Sequence, residues 1–314
     1  MSGAKRLTVV HPHGFCSGVA RAVRAAEAAL ERVRGGEPVY CLHEIVHNRQ
    51  VVSRLTALGL TFVDDVGDVP EGALLLFSAH GVAPAVRHQA EARRLRVIDA
   101  TCPFVSKVHA EVRRFAAAGV TVVCIGHRRH AEVVGVAGEA PEHVRVVESA
   151  DEAEALALAP DSPVAVVTQT TLGEEQVESV MAVLRRRFPD LRVPPSTDIC
   201  YATRNRQRAV RLLAQRCDRV VVLGSENSSN TQRLAEAARA ACSEAALVSD
   251  VSQLADASWR DAAAVGVTSG ASTPETFLEE AVAVLRARHG FPAPEDFMAV
   301  EENSLVFALP AMPA

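Results

Sequence analysis

This chain is short of aromatic residues, of lysine and of closely paired cysteines. Tryptophan, tyrosine and phenylalanine make up only 4% of its 314 residues. Its core must therefore be built from Val, Leu, Ile and Ala, which a hydrophobic content of 48% supplies. Lys5 and Lys107 are the only lysines among 33 basic residues, and the formal net charge is −5. A slightly acidic chain without a lysine-rich face is not expected to bind nucleic acid. No apolar run approaches the roughly 18 residues that a membrane span needs. The opening residues are polar or small and read as no secretory leader, so a soluble cytoplasmic protein is expected. None of the seven cysteines forms a C-x-x-C pair, and their number is odd. In a cytoplasmic chain this favours reduced thiols or metal ligands over disulfides, and it excludes a ferredoxin-type or zinc-ribbon site.

What the chain does have is a repeat. Short β-rich runs alternate with amphipathic helices, the pattern of parallel α/β sheets. The first span runs from a strand at residues 7–10 into H-P-H-G-F-C, ending at Cys16. Its later strands end in H-E-I-V-H-N, with His47, and in S-A-H-G, with His80. The second span has D-A-T-C-P at Cys102, then G-H-R-R-H-A-E with His130 and Glu132, then T-Q-T-T with Thr170. The third has D-I-C at Cys200, then G-S-E-N-S-S-N from Gly224 to Asn230, then T-S-G-A-S-T-P with Ser272. The cysteine precedes His47, His130 and Ser228 by 31, 28 and 28 residues, and precedes His80, Thr170 and Ser272 by 64, 68 and 72. This spacing predicts three related α/β domains over residues 1–97, 98–196 and 197–290. Their strand carboxyl ends, where ligands bind in such folds, would converge on one central cavity. Residues 291–314 lie outside the repeat, and E-E-N-S-L-V-F-A-L-P is read as a strand packing back on the assembly.

A lone cysteine is most often a small buried apolar residue. Three at equivalent junctions are better read as a set of thiolates, which suits zinc or an iron–sulfur cluster. Three thiolates on a 4Fe–4S cube leave one iron without a protein ligand, open to act as a Lewis acid. Cys41 and Cys124, in mid-strand, and Cys217 and Cys242, near helix ends, read as structural. The other six junctions carry His, Ser, Thr and Asn, several just before a helix, where free N–H groups favour an anion. Together they look like a diphosphate site made of neutral donors. Glu132 is the one carboxylate among them and could deliver protons. Thr170 would relay a proton or orient a substrate hydroxyl. The run from His43 to His47 matches H-E-x-x-H, but it follows a strand, whereas a zinc peptidase needs that pattern on a helix.

These motifs resemble those of the 4-hydroxy-3-methylbut-2-enyl diphosphate reductase (IspH/LytB) family. The resemblance rests on G-F-C-S-G-V, H-E-I-V-H-N-R, F-S-A-H-G-V, D-A-T-C-P, V-T-Q-T-T-L, D-I-C-Y-A-T-x-N-R-Q, N-S-S-N and the E-E-N…V-F tail. It implies a monomeric pseudo-threefold trefoil of three α/β domains around one 4Fe–4S cluster. Cys16, Cys102 and Cys200 match the family's cluster ligands. His47, His80, His130, Ser228, Ser229, Asn230 and Ser272 match its diphosphate binders, and Thr203 and Asn227 fall on positions lining its pocket. Glu132 matches its proton donor and Thr170 its partner, so Glu132, Thr170 and His130 form the expected catalytic set. The implied reaction removes an allylic hydroxyl with two electrons and two protons, giving isopentenyl and dimethylallyl diphosphate, with ferredoxin or flavodoxin as donor. The chain departs from the family at His13, where an arginine is usual, at Arg128-Arg129 for Ala-Gly, at Ala131 for proline, and at Val134 for a common glutamate. The alternatives are a paralogue acting on a related allylic diphosphate, a non-redox 4Fe–4S hydro-lyase, and an iron–sulfur sensor of a phosphorylated metabolite.

Overall fold

The structure is a computed structural model that describes residues 4–33, 36–242, 244–302 and 305–313. Its strands are β1 Arg6–His11, β2 Val39–Leu42, β3 Leu60–Val63, β4 Leu74–Phe77, β5 Arg96–Asp99, β6 Thr121–Ile125, β7 Val144–Val147, β8 Val164–Thr168, β9 Arg219–Leu223, β10 Glu244–Val248, β11 Ala264–Ser269 and β12 Glu295–Met298. The helices are α1 Ser17–Arg32, α2 Arg49–Ala57, α3 Pro84–Ala92, α4 Pro103–Ala117, α5 Ala131–Ala137, α6 Ala150–Glu154, α7 Glu174–Arg187, α8 Tyr201–Ala214, α9 Ser229–Ala241 and α10 Glu275–His289. Every strand pair is parallel. The fold is therefore α/β with three parallel sheets, as expected.

The chain divides into two compact units. The first comprises residues 1–19, 47–54 and 201–306 and holds one sheet, in the order β10-β9-β11-β1-β12. Successive side chains of a strand point to opposite faces, so these Val-rich strands feed two cores. On one face Leu7, Val9, Val221, Leu223, Val265 and Val267 pack with Trp259, Phe277 and Leu285. On the other, Val10, Val220 and Val222 pack with α8 and α9 through Val210, Leu213 and Leu234.

The second unit comprises residues 20–46, 55–200 and 307–314 and holds two sheets, β3-β2-β4-β5 and β7-β6-β8. The latter is again covered on both faces: Val122, Cys124, Ala165 and Val167 pack toward α4 and α5, while Val123, Ile125, Val164 and Val166 pack toward α7.

All three sheets share one strand order, and it is offset from the expected spans. The strand that precedes a cysteine hydrogen-bonds to the sheet of the preceding span. Thus β5, before Cys102, lies beside β4, and β1, before Cys16, lies beside β11. The corresponding partner of β8 is Arg192, an isolated parallel bridge to Ala165 before Cys200. The tail strand also differs from expectation. It is β12, beside β1, whereas the described residues of the 301–310 stretch form no strand. The sequence Glu-Asp-Phe-Met of β12 finds an open β1 edge to pair with, and main-chain pairing there satisfies donors that would otherwise be unbonded.

Candidate functional site

In the second unit the carboxyl ends of β4, β6 and β8 carry the acid and two histidines. Helix α5 begins at Ala131 with His130 as its N-cap, and the His130 Nδ1 accepts the Glu132 N–H at 3.2 Å. A neutral ring accepting at Nδ1 carries its proton on Nε2. Glu132 is only 2% exposed. From the loop after β8, the Thr170 N–H donates to Oε1 at 2.6 Å and its hydroxyl to Oε2 at 3.0 Å. Burial pushes the Glu132 carboxyl up to about 7; the two Thr170 donors pull it down and the nearby Asp198 charge pushes it up. A buried carboxyl poised there can hold a proton near neutrality and release it to a reacting group.

His80 lies in the loop after β4, with Nδ1 3.2 Å from the Ser78 hydroxyl, and its ring meets that of His130 edge-on at 5.6 Å. Gly81 follows with φ +76°, and a Cβ there would stand 2.9 Å from the His109 Nε2, so the turn requires glycine. The structure thus brings together the predicted residues His80, His130, Glu132 and Thr170.

The same unit holds groups that the sequence reading missed. Asp198 is buried, accepting the Thr168 N–H at 3.0 Å and the Lys107 ammonium at 2.9 Å. Glu111, 3.6 Å from Lys107, is pushed up to about 7 by burial and then by Asp198. His109, equally buried, pairs with Glu139 at 2.6 Å. The signal was there in D-I-C and in K-V-H-A-E, where i,i+4 spacing puts Lys107 and Glu111 on one helix face.

In the first unit the predicted residues are joined by direct bonds. Ser228 caps α9, its hydroxyl accepting the Thr231 N–H at 3.3 Å. Asn230 is buried; its Nδ2 donates to the Thr203 hydroxyl at 3.2 Å and its Oδ1 accepts the Ala271 N–H at 2.9 Å. The Ser272 hydroxyl donates to the His47 carbonyl at 3.0 Å. Helix α10 starts beyond Ser272, at Glu275, with Pro274 as its N-cap. Asn227 and Ser229 flank the cap on either side, so His47, Thr203, Asn227–Asn230 and Ser272 form one polar constellation at the β9 and β11 carboxyl ends.

Each of the three candidate ligand cysteines is half-buried and outside any disulfide, and each makes the same backbone bond. The Cys16 N–H donates to Ala271 at 3.1 Å, the Cys102 N–H to Ala79 at 2.9 Å and the Cys200 N–H to Thr170 at 3.0 Å. All three acceptors lie at the third junction of the adjoining strand, so one repeated hydrogen bond fixes all three cysteine loops.

The other four cysteines have different surroundings. Cys41 and Cys124 are fully buried in β2 and β6, and burial pushes their thiols upward. Cys217 precedes β9, and burial pushes its thiol up to about 11. The Cys242 thiol donates to the Asp218 carbonyl at 3.1 Å. Only Cys16, Cys102 and Cys200 combine a carboxyl-end position with partial exposure, the donor set that a thiolate-bound iron–sulfur group requires. Among the described residues, no three His, Cys, Asp or Glu side chains form a ready-made metal-binding group. The His43–His47 stretch is loop, with His43 at φ +56°, so the H-E-x-x-H pattern lacks its helix.

Fold and polar groups together define a class: a parallel α/β protein whose strand carboxyl ends present thiols, a buried acid and neutral anion donors. Within that class the chain belongs to the LytB protein family, whose model matches residues 7–286. It is similar to the 4-hydroxy-3-methylbut-2-enyl diphosphate reductase of Rhodococcus jostii, 49% identical over 309 residues, which are 98% of this chain and 91% of the relative. Its fold is similar to that of the E-1-hydroxy-2-methyl-but-2-enyl-4-diphosphate reductase of Plasmodium falciparum, with a TM-score of 0.94, 35% identity, and coverage of 98% of this chain and 96% of that one. A structure described as (E)-4-hydroxy-3-methyl-but-2-enyl diphosphate reductase, the terminal enzyme of the non-mevalonate pathway, matches with a TM-score of 0.65 and 32% identity, over 90% of this chain and 99% of that one.

Proposed function

We propose that this chain is the reductase that removes the allylic hydroxyl of (E)-4-hydroxy-3-methylbut-2-enyl diphosphate. Two electrons and two protons are consumed, the hydroxyl leaves as water, and isopentenyl and dimethylallyl diphosphate are formed as the last step of the non-mevalonate route. The observation that carries this reading, beside family membership, is the buried Glu132 carboxyl held by two Thr170 donors and poised near 7.

Cys16, Cys102 and Cys200 would hold one 4Fe–4S cluster. When bound, that cluster supplies the electrons and one iron without a protein ligand. The chain's own residues do the rest. His47, His80, His130, Thr203, Asn227, Ser228, Ser229, Asn230 and Ser272 bind the diphosphate with neutral N–H and O–H donors. Such donors compensate an anion without bringing a second buried charge that would itself need compensation. Glu132 holds a proton on its carboxyl at neutral pH and gives it up as charge develops on the departing hydroxyl. Thr170 fixes the carboxylate plane from both oxygens, and His130 fixes the first turn of α5. Ferredoxin or flavodoxin would deliver electrons to a monomeric, cytoplasmic enzyme that binds neither nucleic acid nor membrane. No helix among the described residues is long and apolar enough to cross a membrane.

The deciding experiment is anaerobic assay of the iron-loaded protein with dithionite and a dye mediator. Reductant-dependent formation of both products supports the reductase. Activity without reductant would make it a hydro-lyase, and ligand binding without turnover would make it a sensor. In parallel, Cys16→Ser, Cys102→Ser and Cys200→Ser should each lose iron while Cys41→Ser retains it. An iron-free protein that turns over would sink the reading.

A further inference from the structure

The motif that the proposed reaction leaves unused is the C-terminal E-E-N. Among the largest fully buried side chains is an arginine, Arg206 of α8, only 1% exposed. A guanidinium taken that far from water must have its donors met and its charge compensated. Its Nη2 donates to the carbonyl of Gly14 at 2.9 Å and of His13 at 3.3 Å. Its Nη1 donates to the Ala202 carbonyl at 3.2 Å and to the Glu302 carboxylate at 3.3 and 3.4 Å. The same carboxylate takes a bond from Asn205 Nδ2 at 3.3 Å. Arg206 therefore joins the loop that leads into Cys16 to a carboxylate near the end of the chain.

A second, independent tie lies on the other side of the cysteine. Ser17, the next residue, donates its hydroxyl to the Leu305 carbonyl and stands 2.9 Å from the Tyr201 hydroxyl. The Cys16 loop is thus held on both flanks, at Gly14 by Glu302 through its ion pair with the buried Arg206 and at Ser17 directly by Leu305. His13 adds no second cation: burial pushes its imidazole down to about 4, and repulsion from His11 and Arg206 acts in the same direction against Asp296. The Cys102 loop meets a later part of the tail: Arg21 joins the Thr101 carbonyl at 3.0 Å to the Ala308 carbonyl at 2.8 Å, and the Phe104 ring meets that of Phe307 edge-on at 6.0 Å.

We propose that Arg206 and Glu302 are positioning residues for Cys16, and that Glu302 and Leu305 form a strap that sets how firmly this thiol is presented. The inference rests on the reading of Cys16 as a cluster ligand only for its consequence, iron retention; the strap itself is testable in iron-free protein.

The test compares alkylation of Cys16 with that of Cys102 and Cys200 in the same molecule, by iodoacetamide and peptide mass spectrometry. In iron-free Glu302→Gln, Cys16 should be modified roughly fivefold faster than in the parent, the scale expected for weakening one buried charge-assisted contact. The two control thiols should be unchanged. Glu302→Asp should restore most of the protection. Ser17→Ala should raise Cys16 alkylation less, by roughly twofold, because its contact is a neutral hydrogen bond. Arg206→Lys keeps the charge but cannot reach three carbonyls and a carboxylate together, and should behave like Glu302→Gln. In loaded protein, Glu302→Gln should lose iron faster in air. Equal acceleration at all three cysteines, or none at Cys16, overturns the strap. Faster Cys16 alkylation together with a Cys16→Ser variant that keeps its full iron would retain the strap and sink the ligand assignment instead.

Discussion

The two compact units carry different kinds of polar group at their strand ends. In the second unit the groups are ionisable side chains: Glu132, His80 and His130, backed by Asp198, Glu111 and Lys107. In the first they are mostly amides and hydroxyls that do not titrate: Thr203, Asn227, Ser228, Ser229, Asn230 and Ser272, with His47 among them. Proton transfer needs a group whose two charge states are nearly balanced, and burial against two hydrogen-bond donors gives Glu132 that balance. Anion binding needs donors whose strength does not change with pH, which amides and hydroxyls provide. The division of labour predicts that Glu132 governs turnover, while the amides and hydroxyls, together with His47, His80 and His130, govern substrate affinity.

The largest effect should come from Glu132→Gln. Turnover should fall by roughly 10²–10⁴-fold, the usual contribution of a positioned acid, while KM stays within a few-fold of the parent. Anaerobic steady-state kinetics with dithionite would measure both; a KM increase with little loss of kcat would break the division. Next is Asn230→Asp. Asp keeps the acceptor for the Ala271 N–H but loses the donor to Thr203 and adds a charge among anion donors. KM should rise on the order of tenfold or more, with kcat less affected. A mainly kcat effect would place Asn230 with the reacting groups.

The parts of this molecule that reading the sequence reached are those where one strand or loop decides the matter. The strands β2, β4, β6, β8, β9 and β11 are runs of Val and Leu that are largely buried, and such runs are recognisable in sequence. The edge strands β3, β7 and β10 are short and partly exposed, and no unbroken buried run marks them. Sheet membership was set one strand off because a repeat of fixed period looks the same wherever the cut is made; only hydrogen bonding reveals that β1 belongs beside β11 and β5 beside β4.

At the site, residue types and junctions were legible, but their states were not. The near-neutral Glu132 depends on Thr170, 38 residues away, and on burial that no local pattern encodes. Arg206 was hidden among Arg204, Arg208 and Arg211 on one helix, where composition alone reads arginine as solvated surface.

A mid-sized effect should appear in the pH dependence. The acid is competent while protonated, so turnover should fall as pH rises through about 7. The Thr170 hydroxyl stabilises the carboxylate and thus lowers its pKa; Thr170→Val removes that donor and should move the alkaline limb to higher pH. The same linkage acts on stability. A carboxyl raised in the fold is favoured while protonated, so its contribution falls as pH climbs from 4.5 through about 7, by up to ~3 kcal/mol. Denaturant melts at pH 5 and 8 should show that loss in the parent, and Glu132→Gln should remove this group's share of it. A limb that moves down in Thr170→Val, or the same pH-dependent loss in Glu132→Gln as in the parent, would mean that Glu132 is not the titrating group.

The smallest effect should come from Ser272→Ala, and it bears most directly on what the neutral set does. The Ser272 hydroxyl already donates to the His47 carbonyl at 3.0 Å, so its one proton is committed and a bound anion must compete for it. If Ser272 serves mainly to pin the His47 loop, its loss should cost about 1 kcal/mol of stability and raise KM only as far as His47 is displaced. If instead the hydroxyl turns to the diphosphate on binding, the free protein loses the same bond, but KM should rise roughly fivefold without any displacement of His47. A double-mutant cycle with His47→Ala separates the two. Strong coupling in KM means that Ser272 acts through His47, and additivity means that each contacts the anion on its own. Loss of turnover in either single variant, with KM unmoved, would remove the first unit's constellation from its assigned role.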